Sequence, residues 1–296
     1  MAKQRRSLSG KVVAITGGAR GIGKAMAAAL VRKGCRVALG DVDVTLAQRT
    51  AEELGGGTIA VGLDVTDRGS FAAFLDETER QLGPLDVLIN NAGIMPVTPL
   101  ADESDDSIRR QLDINVYGVI AGTQLALERM RPRGGGHVVN VASSAGKAGV
   151  PGIATYSATK HAVVGFTEAA RAEYGAEGID FSYVMPITVN TQLIEGLKDH
   201  PGVKRVQPED VANEVVNALE TGKVDVYVPR QLRASVMIGG LLPRRVREAM
   251  ARVMGVTKVM TEVSPEARRA YEERAAHSEP GVEGEAPAES PQREAA

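Results

Sequence analysis

Residues 16–23 read TGGARGIG and follow the apolar, β-branched run Val12–Thr16. An Ala-rich stretch with the apolar spacing of a helix comes next. Glycines in such a turn permit a tight bend, a close approach of the backbone to a ligand and close packing of helix against strand. The N–H groups at the start of the helix would then face the phosphates of a dinucleotide. A glycine-rich turn alone is a weak signal. The predicted contacts are Gly17, Arg20, Gly21, Ile22 and Gly23.

Short β-branched runs alternate with longer helical patterns as far as about Pro229. The predicted strands are Val12–Thr16, Arg36–Leu39, Thr58–Gly62, Asp86–Asn90, His137–Val141, Asp180–Met185 and Val224–Val228. Strands separated by helices indicate a mostly parallel sheet. The runs are apolar at consecutive positions, as expected for strands covered on both faces. We therefore expect an α/β fold over residues 1–229.

Composition excludes several classes of protein. The 296 residues are 43% hydrophobic and 24% charged, which is ordinary globular usage. A net charge of -2 and only 3% aromatic residues provide neither a basic footprint nor stacking platforms, so we expect no nucleic-acid partner. No apolar run reaches the roughly 20 residues of a membrane-spanning helix. The lone Cys35 and the absence of a recognisable signal peptide predict a cytoplasmic protein. The four His residues lack ligand spacing to one another, and we expect no catalytic metal.

The second predicted strand leads to Asp41, which lies eighteen residues after Gly23. A carboxylate there accepts hydrogen bonds from ribose hydroxyls and repels a 2′-phosphate, so it favours NAD over NADP. Arg20 could instead pair with a 2′-phosphate, or it could contact a carbonyl or solvent. Val42, the residue after Asp41, offers no cation. On balance the sequence favours NAD.

Two further motifs identify a family. The fourth strand is followed by Asn90–Gly93 (NNAG), and a later helix opens with Tyr156–Lys160 (YSATK). With TGxxxGxG and YxxxK in this order, the chain from Leu8 to about Pro229 resembles the short-chain dehydrogenase/reductase family. The resemblance implies a single Rossmann-type doubly wound sheet of about seven strands in the order 3-2-1-4-5-6-7, with helices on both faces. It also implies an NAD(P)-dependent oxidoreductase acting on CH–OH groups, and a homodimer or homotetramer.

Four residues match the family's catalytic tetrad. Ser143 precedes Tyr156 by thirteen residues, Lys160 follows it by one helical turn, and Asn115 lies in the helix pattern 104–130. Ser144 is an alternative whose spacing fits less well. A phenol has a pKa near 10, and a neighbouring ammonium lowers it, so Tyr156 becomes a usable acid and base. Ser143 would hydrogen-bond the substrate oxygen. The resemblance assigns to Lys160 a second role at the nicotinamide ribose, and to Asn115 the holding of a water.

The resemblance also supplies the remaining cofactor contacts. It implies adenine contacts at Asp64 and Val65, although Asp64 could simply cap a strand end. It further implies that one segment supports the sheet and lines the nicotinamide ribose, and that two later residues contact the carboxamide. These positions are Asn91, Ala92 and Gly93, and then Val189 and Thr191. Ile187 stands where the family usually has Gly, so the loop beside the nicotinamide is expected to take a different path.

The chain changes character after Pro229. Residues 230–260 carry seven basic residues and one acid, and residues 261–296 carry nine Glu and four Arg. We predict a basic amphipathic extension over 230–262 and an acidic, Pro/Glu-rich, largely disordered tail over 263–296. Within the extension, residues 243–254 read as a basic amphipathic helix. That helix would either meet anionic lipid at a membrane surface or pack on its own domain or a neighbouring subunit.

The loop 193–206 carries apolar residues and predicts a mobile lid over an apolar substrate. The leading hypothesis is therefore an NAD-dependent dehydrogenase of lipophilic secondary alcohols or ketones, of steroid, retinoid or acyl-chain type. One alternative is an NADPH-dependent carbonyl reductase that relies on Arg20. The other is a nucleotide-binding, membrane-docking module with little turnover.

Overall fold

The computed structural model describes residues 5–197, 205–243, 245–246, 249 and 265–276. Within these ranges, seven parallel strands form one sheet in the order β3-β2-β1-β4-β5-β6-β7. The predicted doubly wound sheet and its strand order are confirmed. The crossover from β3 back to β4 at the centre leaves a crevice at the carboxyl ends of β1 and β4, where such folds bind their ligands.

The elements follow the predicted alternation closely. The strands are β1 Val12–Thr16, β2 Arg36–Asp41, β3 Ile59–Gly62, β4 Val87–Asn90, β5 Gly136–Val141, β6 Ile179–Pro186 and β7 Asp225–Val228. The helices are α1 Gly21–Arg32, α2 Val44–Leu54, α3 Arg68–Leu82, α4 Asp105–Leu112, α5 Gly118–Met130, α6 Ala154–Tyr174, α7 Pro208–Thr221, α8 Leu232–Leu241 and α9 Pro265–Ala276.

The central strand β1 explains why the sheet has helices on both faces. Successive side chains of a strand point to opposite faces. Val13 and Ile15 join the core beneath α1 and α7, whereas Val12 and Ala14 join the core beneath α3 and α5. All five residues of β1 are buried. Because β1 contributes side chains to a core on each face of the sheet, its residues are apolar at consecutive rather than alternate positions.

The helix expected over 104–130 contains an irregular turn. It is divided into α4, a π-helical turn Asp113–Tyr117, and α5. Asn115 lies in that turn and is fully buried. Such π turns within helices occur frequently at functional sites, because the extra residue redirects a side chain.

The single cysteine lies inside the N-terminal part of the domain. Cys35 is 4% exposed, and its thiol donates to the carbonyl of Leu8 at 3.2 Å. Burial, with a smaller contribution from Asp86, raises the pKa of this thiol to about 11. Cys35 therefore remains a neutral thiol that fixes residue 8 against β2.

The C-terminal part differs from expectation where it is described. Most of the predicted basic helix 243–254 lies outside the described residues, and the chain from His277 lies wholly outside them. Residues 265–276, expected within a largely disordered tail, form α9. The segment has few apolar residues, yet three residues of α9 are buried: Arg268, Tyr271 and Ala275. None of the helices that the structure describes is both long and apolar enough to cross a membrane.

Candidate active site

The turn between β1 and α1 requires glycine at three positions. Gly17 and Gly21 have φ values of +63° and +54°, a region that disfavours side chains. A Cβ atom on Gly23 would lie 2.1 Å from the carbonyl oxygen of Gly17. No side chain caps α1, and its first turn carries no acidic residue. Its N–H groups are therefore suited to an anion such as a pyrophosphate, and Ile22 lies in that first turn.

A carboxylate borders this turn. Asp41 accepts hydrogen bonds from the N–H groups of Ala19 and Asp43 at 3.0 and 3.1 Å. Burial raises the pKa of Asp41, and these two bonds act in the opposite direction. Arg20 is engaged nearby, since its guanidinium forms an ion pair with Asp43 and lies 3.4 Å from the side-chain oxygen of Gln192. Arg20, the candidate cation for a 2′-phosphate, is thus already paired.

Asn91 ties the end of β4 to the glycine-rich turn. The Thr16 hydroxyl accepts from the N–H groups of Asn91 and Ala92, both at 3.0 Å. The Asn91 amide donates to the carbonyls of Thr16 and Gly17, also at 3.0 Å. The predicted residues at the ends of β1 and β4 therefore form one hydrogen-bonded unit at the crevice.

Asp64 and Val65, which follow β3, make contacts within the structure around that strand end. Asp64 accepts from the N–H and hydroxyl of Thr66 at 2.8 and 2.7 Å. Val65 is buried, and a Cβ atom on Gly118 would come within 3.0 Å of it. The contacts of Asp64 support the strand-end cap. The adenine contact expected from the resemblance stays a prediction for both residues.

Ser143 acts on the phenol of Tyr156. Burial raises the pKa of Tyr156 to about 12, and its hydrogen bond with Ser143 lowers it. The Ser143 hydroxyl also accepts from the N–H of Ala145 at 3.1 Å. Of the two adjacent serines, Ser143 is the one that affects the pKa of Tyr156.

Lys160 lies one turn further along α6, beside Tyr156. Its ammonium nitrogen Nζ is 5.5 Å from the centre of the Tyr156 ring and donates to the carbonyl of Val141 at 2.8 Å. Burial lowers the pKa of Lys160 to about 8. The Lys160 ammonium, whose pKa is lowered, thus lies next to the phenol, where its charge favours the phenolate.

Asn115 acts on the loop that follows β4. Its side chain accepts from the N–H of Ile94 at 2.9 Å and donates to the carbonyl of the same residue at 2.9 Å. It also donates to the hydroxyl of Thr159 at 3.2 Å. A Cβ atom on Gly93 would lie 3.1 Å from the Asn115 oxygen and 3.5 Å from Lys160 Nζ. The structure therefore brings all four predicted tetrad residues to one site, with Gly93 between two of them.

The segment after β6 crosses the glycine-rich turn despite its unusual sequence. Ile187 continues the sheet, since its N–H donates to the carbonyl of Val228 at 3.0 Å. Val189 is buried and pairs with Val206 as a parallel bridge. A Cβ atom placed on Gly21 would be 3.4 Å from the Thr191 methyl group. Val189 and Thr191 thus lie on the segment that borders the predicted cofactor pocket.

An apolar cluster surrounds Tyr156 on the other side. Part of it comes from the predicted lid, whose residues 198–204 lie outside the described chain. The buried members are Met95, Ala145, Ile153, Tyr156, Ile194 and Leu197. This cluster gives the phenol an apolar setting, which explains why burial dominates its pKa.

Sequence reasoning missed the contribution of α9. Tyr271 accepts a hydrogen bond from the N–H of Met95 at 2.8 Å, and Arg268 is 2% exposed. Pro265 and Glu266 at the start of the segment, followed by Ala and Arg, are typical of a helix start. That signal was available, but the acidic balance of the whole tail concealed it.

Comparison with known proteins identifies the family. The family model for short chain dehydrogenases matches residues 11–202. The chain belongs to the short-chain dehydrogenase family. It is therefore an oxidoreductase of the NAD(P)-binding type whose members act on CH–OH groups.

Individual relatives differ in substrate. The chain is 37% identical over 191 residues to a sorbitol dehydrogenase from Cereibacter sphaeroides, covering 64% of this chain and 75% of that one. It is 28% identical over 263 residues to 17-beta-hydroxysteroid dehydrogenase 13 from Rattus norvegicus, covering 86% of each. It also matches the glycine betaine reductase ATRR from Emericella nidulans at 35% identity over 224 residues, which is 72% of this chain but only 18% of that longer protein.

A solved structure agrees with the fold. A short chain dehydrogenase/reductase from Burkholderia phymatum, in complex with NAD, superimposes with a TM-score of 0.73 at 25% identity. The match covers 79% of this short-chain dehydrogenase and 94% of that chain. The relationship supports the binding of a nicotinamide dinucleotide in the crevice described above.

Proposed function

We propose that this short-chain dehydrogenase transfers a hydride between NAD(H) and a lipophilic secondary alcohol or the corresponding ketone. The observation that carries the proposal is the environment of Tyr156. Ser143 lowers the pKa of the phenol, Lys160 Nζ lies 5.5 Å from the centre of its ring, and apolar side chains surround it. These are the parts of an acid/base site that excludes water.

Tyr156 moves the proton of the reaction. In oxidation its phenolate oxygen takes the hydroxyl proton of the alcohol, and in reduction its phenol returns a proton to the carbonyl oxygen. Ser143 donates to the same substrate oxygen and stabilises the charge that develops there. Burial raises the pKa of Tyr156 to about 12 even though Ser143 lowers it, and the neighbouring Lys160 ammonium favours the phenolate. The bound nicotinamide supplies hydride transfer and, when oxidised, a positive charge.

We propose NAD rather than NADP as the cofactor. Asp41 borders the turn, and a 2′-phosphate near its carboxylate would be repelled. Arg20 offers little compensation because it is paired with Asp43. This pairing also disfavours the alternative of an NADPH-dependent carbonyl reductase.

The proposed substrate class rests on the apolar cluster around Tyr156. Ile153 and Leu197 belong to it, and both are nearly inaccessible to solvent. A polyol would leave hydroxyl groups unpaired against such side chains, at a cost for each buried group. The apolar environment suits the kind of substrate named for the hydroxysteroid dehydrogenase relative better than the sorbitol named for the other.

We further propose that the protein forms a homodimer or homotetramer through the helices after β4 and β5. Leu112 and Tyr117, 44% and 43% exposed on that surface, support an interface. Membrane contact through residues 243–254 and a cytoplasmic location remain predictions. The docking-module alternative is disfavoured because all four tetrad residues are present and close together.

A substrate panel tests the proposal. The purified protein is incubated with NAD and, separately, NADP together with steroid, retinoid, acyl-chain and polyol alcohols, and nicotinamide absorbance is followed. Turnover of apolar secondary alcohols with NAD is expected. Turnover of polyols alone would overturn the substrate class, and a preference for NADP would overturn the argument from Asp41. No turnover with any alcohol, despite tight NADH binding, would favour the docking module.

A further inference from the structure

The C-terminal helix α9 is bonded to the loop that follows β4. The N–H of Met95 donates to the phenol oxygen of Tyr271 at 2.8 Å. The N–H of Val97 donates to the Glu272 carboxylate at 3.4 Å. Residues more than 170 positions apart in sequence therefore share backbone-directed hydrogen bonds. The attachment involves the peptide groups of the loop, which fixes its path irrespective of its side chains.

Arg268 extends this attachment to a second loop. Its guanidinium donates through Nη2 to the carbonyl of Met95 at 2.8 Å. Through Nη1 it donates to the carbonyls of Leu193 and Glu195 at 3.1 and 3.2 Å. Its Nε donates to Glu272 at 2.8 Å. One side chain thus joins α9, the loop after β4 and the segment after β6.

The burial of Arg268 requires an explanation. A buried guanidinium is costly unless its donors are satisfied, and arginine is almost never fully buried without partners. At 2% exposure, Arg268 uses three carbonyls and one carboxylate, in the planar fork that only arginine offers. Lysine has three donors on one nitrogen and cannot span the same acceptors. The site is therefore specific for arginine.

The two loops joined by Arg268 are the ones that line the reacting group. Met95 comes from the loop after β4, and Ile194 and Leu197 come from the segment after β6. All three pack in the apolar cluster of Tyr156. Tyr271 is 8% exposed and bonds to the N–H of Met95, a member of the Tyr156 cluster, so α9 lies against that cluster.

We propose that α9 forms a wall of the alcohol site and that Arg268 is the positioning residue that holds this wall together. Bulky apolar alcohols then bind to a surface that exists only while α9 is docked. Small alcohols react at Tyr156 without needing that surface. The inference rests on the proposed function and assigns to the end of the chain the control of substrate size.

A matched pair of full-length variants tests the proposal. Arg268→Ala removes the buried guanidinium, and Arg269→Ala removes an exposed one from the neighbouring position of the same helix. Hydrogen exchange at the amides of Met95 and Val97 should be about tenfold faster in Arg268→Ala, because the partners of these amides are no longer held. Arg269→Ala should exchange like the wild type.

Kinetics provides the second measurement. In Arg268→Ala we expect the KM for a bulky apolar alcohol to rise about tenfold or more, since a charged hydrogen-bond network is lost. The KM for a small secondary alcohol and the Kd for NADH should change less than about twofold, because neither contacts the wall. Arg268→Lys should not restore the wild-type KM. A merely structural role would instead impair both alcohols and NADH equally.

Tyr271→Phe keeps the proposal falsifiable if Arg268→Ala fails to fold. This variant keeps the ring and removes only the oxygen that accepts from Met95. Faster exchange at Met95 with a raised KM for the bulky alcohol is expected. Equal exchange in Arg268→Ala and Arg269→Ala, or an unchanged KM for the bulky alcohol, would overturn the inference. If the wild type oxidises no alcohol, the proposed function fails, and the exchange measurement still decides whether Arg268 docks α9.

Discussion

The two halves of the active site are held together in different ways. On the cofactor side, residues 16–23 and Asp41 form a pocket through backbone geometry, with glycine at position 23, where a Cβ atom would collide with the Gly17 carbonyl. On the substrate side, the loop after β4, the segment after β6 and α9 meet through hydrogen bonds spanning most of the chain. The cofactor side is thus defined locally and the substrate side by distant segments. Enzymes of this family share a dinucleotide cofactor but differ in the alcohol they use. The substrate side can change from one enzyme to another without disturbing the glycine-rich turn that binds the cofactor.

The largest expected effect separates chemistry from cofactor binding. Tyr156→Phe should lower kcat by about 10²–10⁴-fold, because the phenol that moves the proton is lost. The Kd for NADH should stay within about twofold of the wild type, because the free energy of NADH binding comes mainly from the glycine-rich turn and Asp41 on the cofactor side. Stopped-flow turnover and fluorescence titration measure the two quantities. Tyr174→Phe, at the far end of α6, is the control. Equal losses in both variants would contradict the role of Tyr156.

Gly23→Ala should weaken NADH binding, whereas Tyr156→Phe should leave it nearly unchanged. Its Cβ atom would lie 2.1 Å from the Gly17 carbonyl, and overpacking of this kind costs about 1–3 kcal/mol. The loss should appear as an NADH Kd raised by about 5- to 150-fold. Gly165→Ala introduces the same methyl group where nothing lies within 4 Å, and it should leave the Kd unchanged. Wild-type NADH affinity in Gly23→Ala would show that the cofactor side tolerates a displaced turn.

The choice between the two dinucleotides gives a smaller effect within the cofactor side. Asp41→Asn removes the charge that repels a 2′-phosphate and should shift the ratio of the NADPH and NADH dissociation constants by about tenfold toward NADPH. Isothermal titration with both cofactors measures the ratio. Asp67→Asn is a suitable control, because Asp67 caps α3 and asparagine caps equally well. An unchanged ratio in Asp41→Asn would remove the basis for preferring NAD.

The pH dependence of turnover is the finest test. Oxidation requires the phenolate of Tyr156, so its kcat/KM should rise with pH, and reduction, which requires the phenol, should fall. Lys160 has a pKa lowered to about 8, and above that pH it loses the charge that favours the phenolate. The rise in oxidation should therefore flatten above about pH 8, while the Kd for NADH changes little. A rise of tenfold per pH unit that continues to pH 10 would show that Lys160 does not assist Tyr156.

The sequence predicted the elements that repeat a simple pattern. Each strand was recognised to within two residues at either end, and in the central strands two-sided burial explains the continuous apolar run, as in Val12–Thr16. The TGGARGIG turn was equally visible, since its glycines are required by local geometry. Asn115 was placed in the correct helix, but the π-helical turn that carries it has no signature in the residue types.

The remaining features depend on contacts that residue types alone do not encode. Arg20 could be weighed as a phosphate ligand, but its ion pair with Asp43 depends on where α2 begins. For α9 the difficulty is physical. Its stability on the domain comes from Arg268 donating to backbone carbonyls, and hydropathy counts a buried arginine as a solvent-facing charge. The acidic glutamates around it reinforced the expectation of disorder.

The internal position of Cys35 makes the protein suitable for site-specific labelling. With its only sulfhydryl neutral at ordinary pH and inaccessible beneath residue 8, the native chain should react slowly with maleimides. A fluorophore can therefore be attached through Arg269→Cys without first removing a competing thiol. Its emission would report in real time on the attachment and release of α9 as alcohols of increasing size are added.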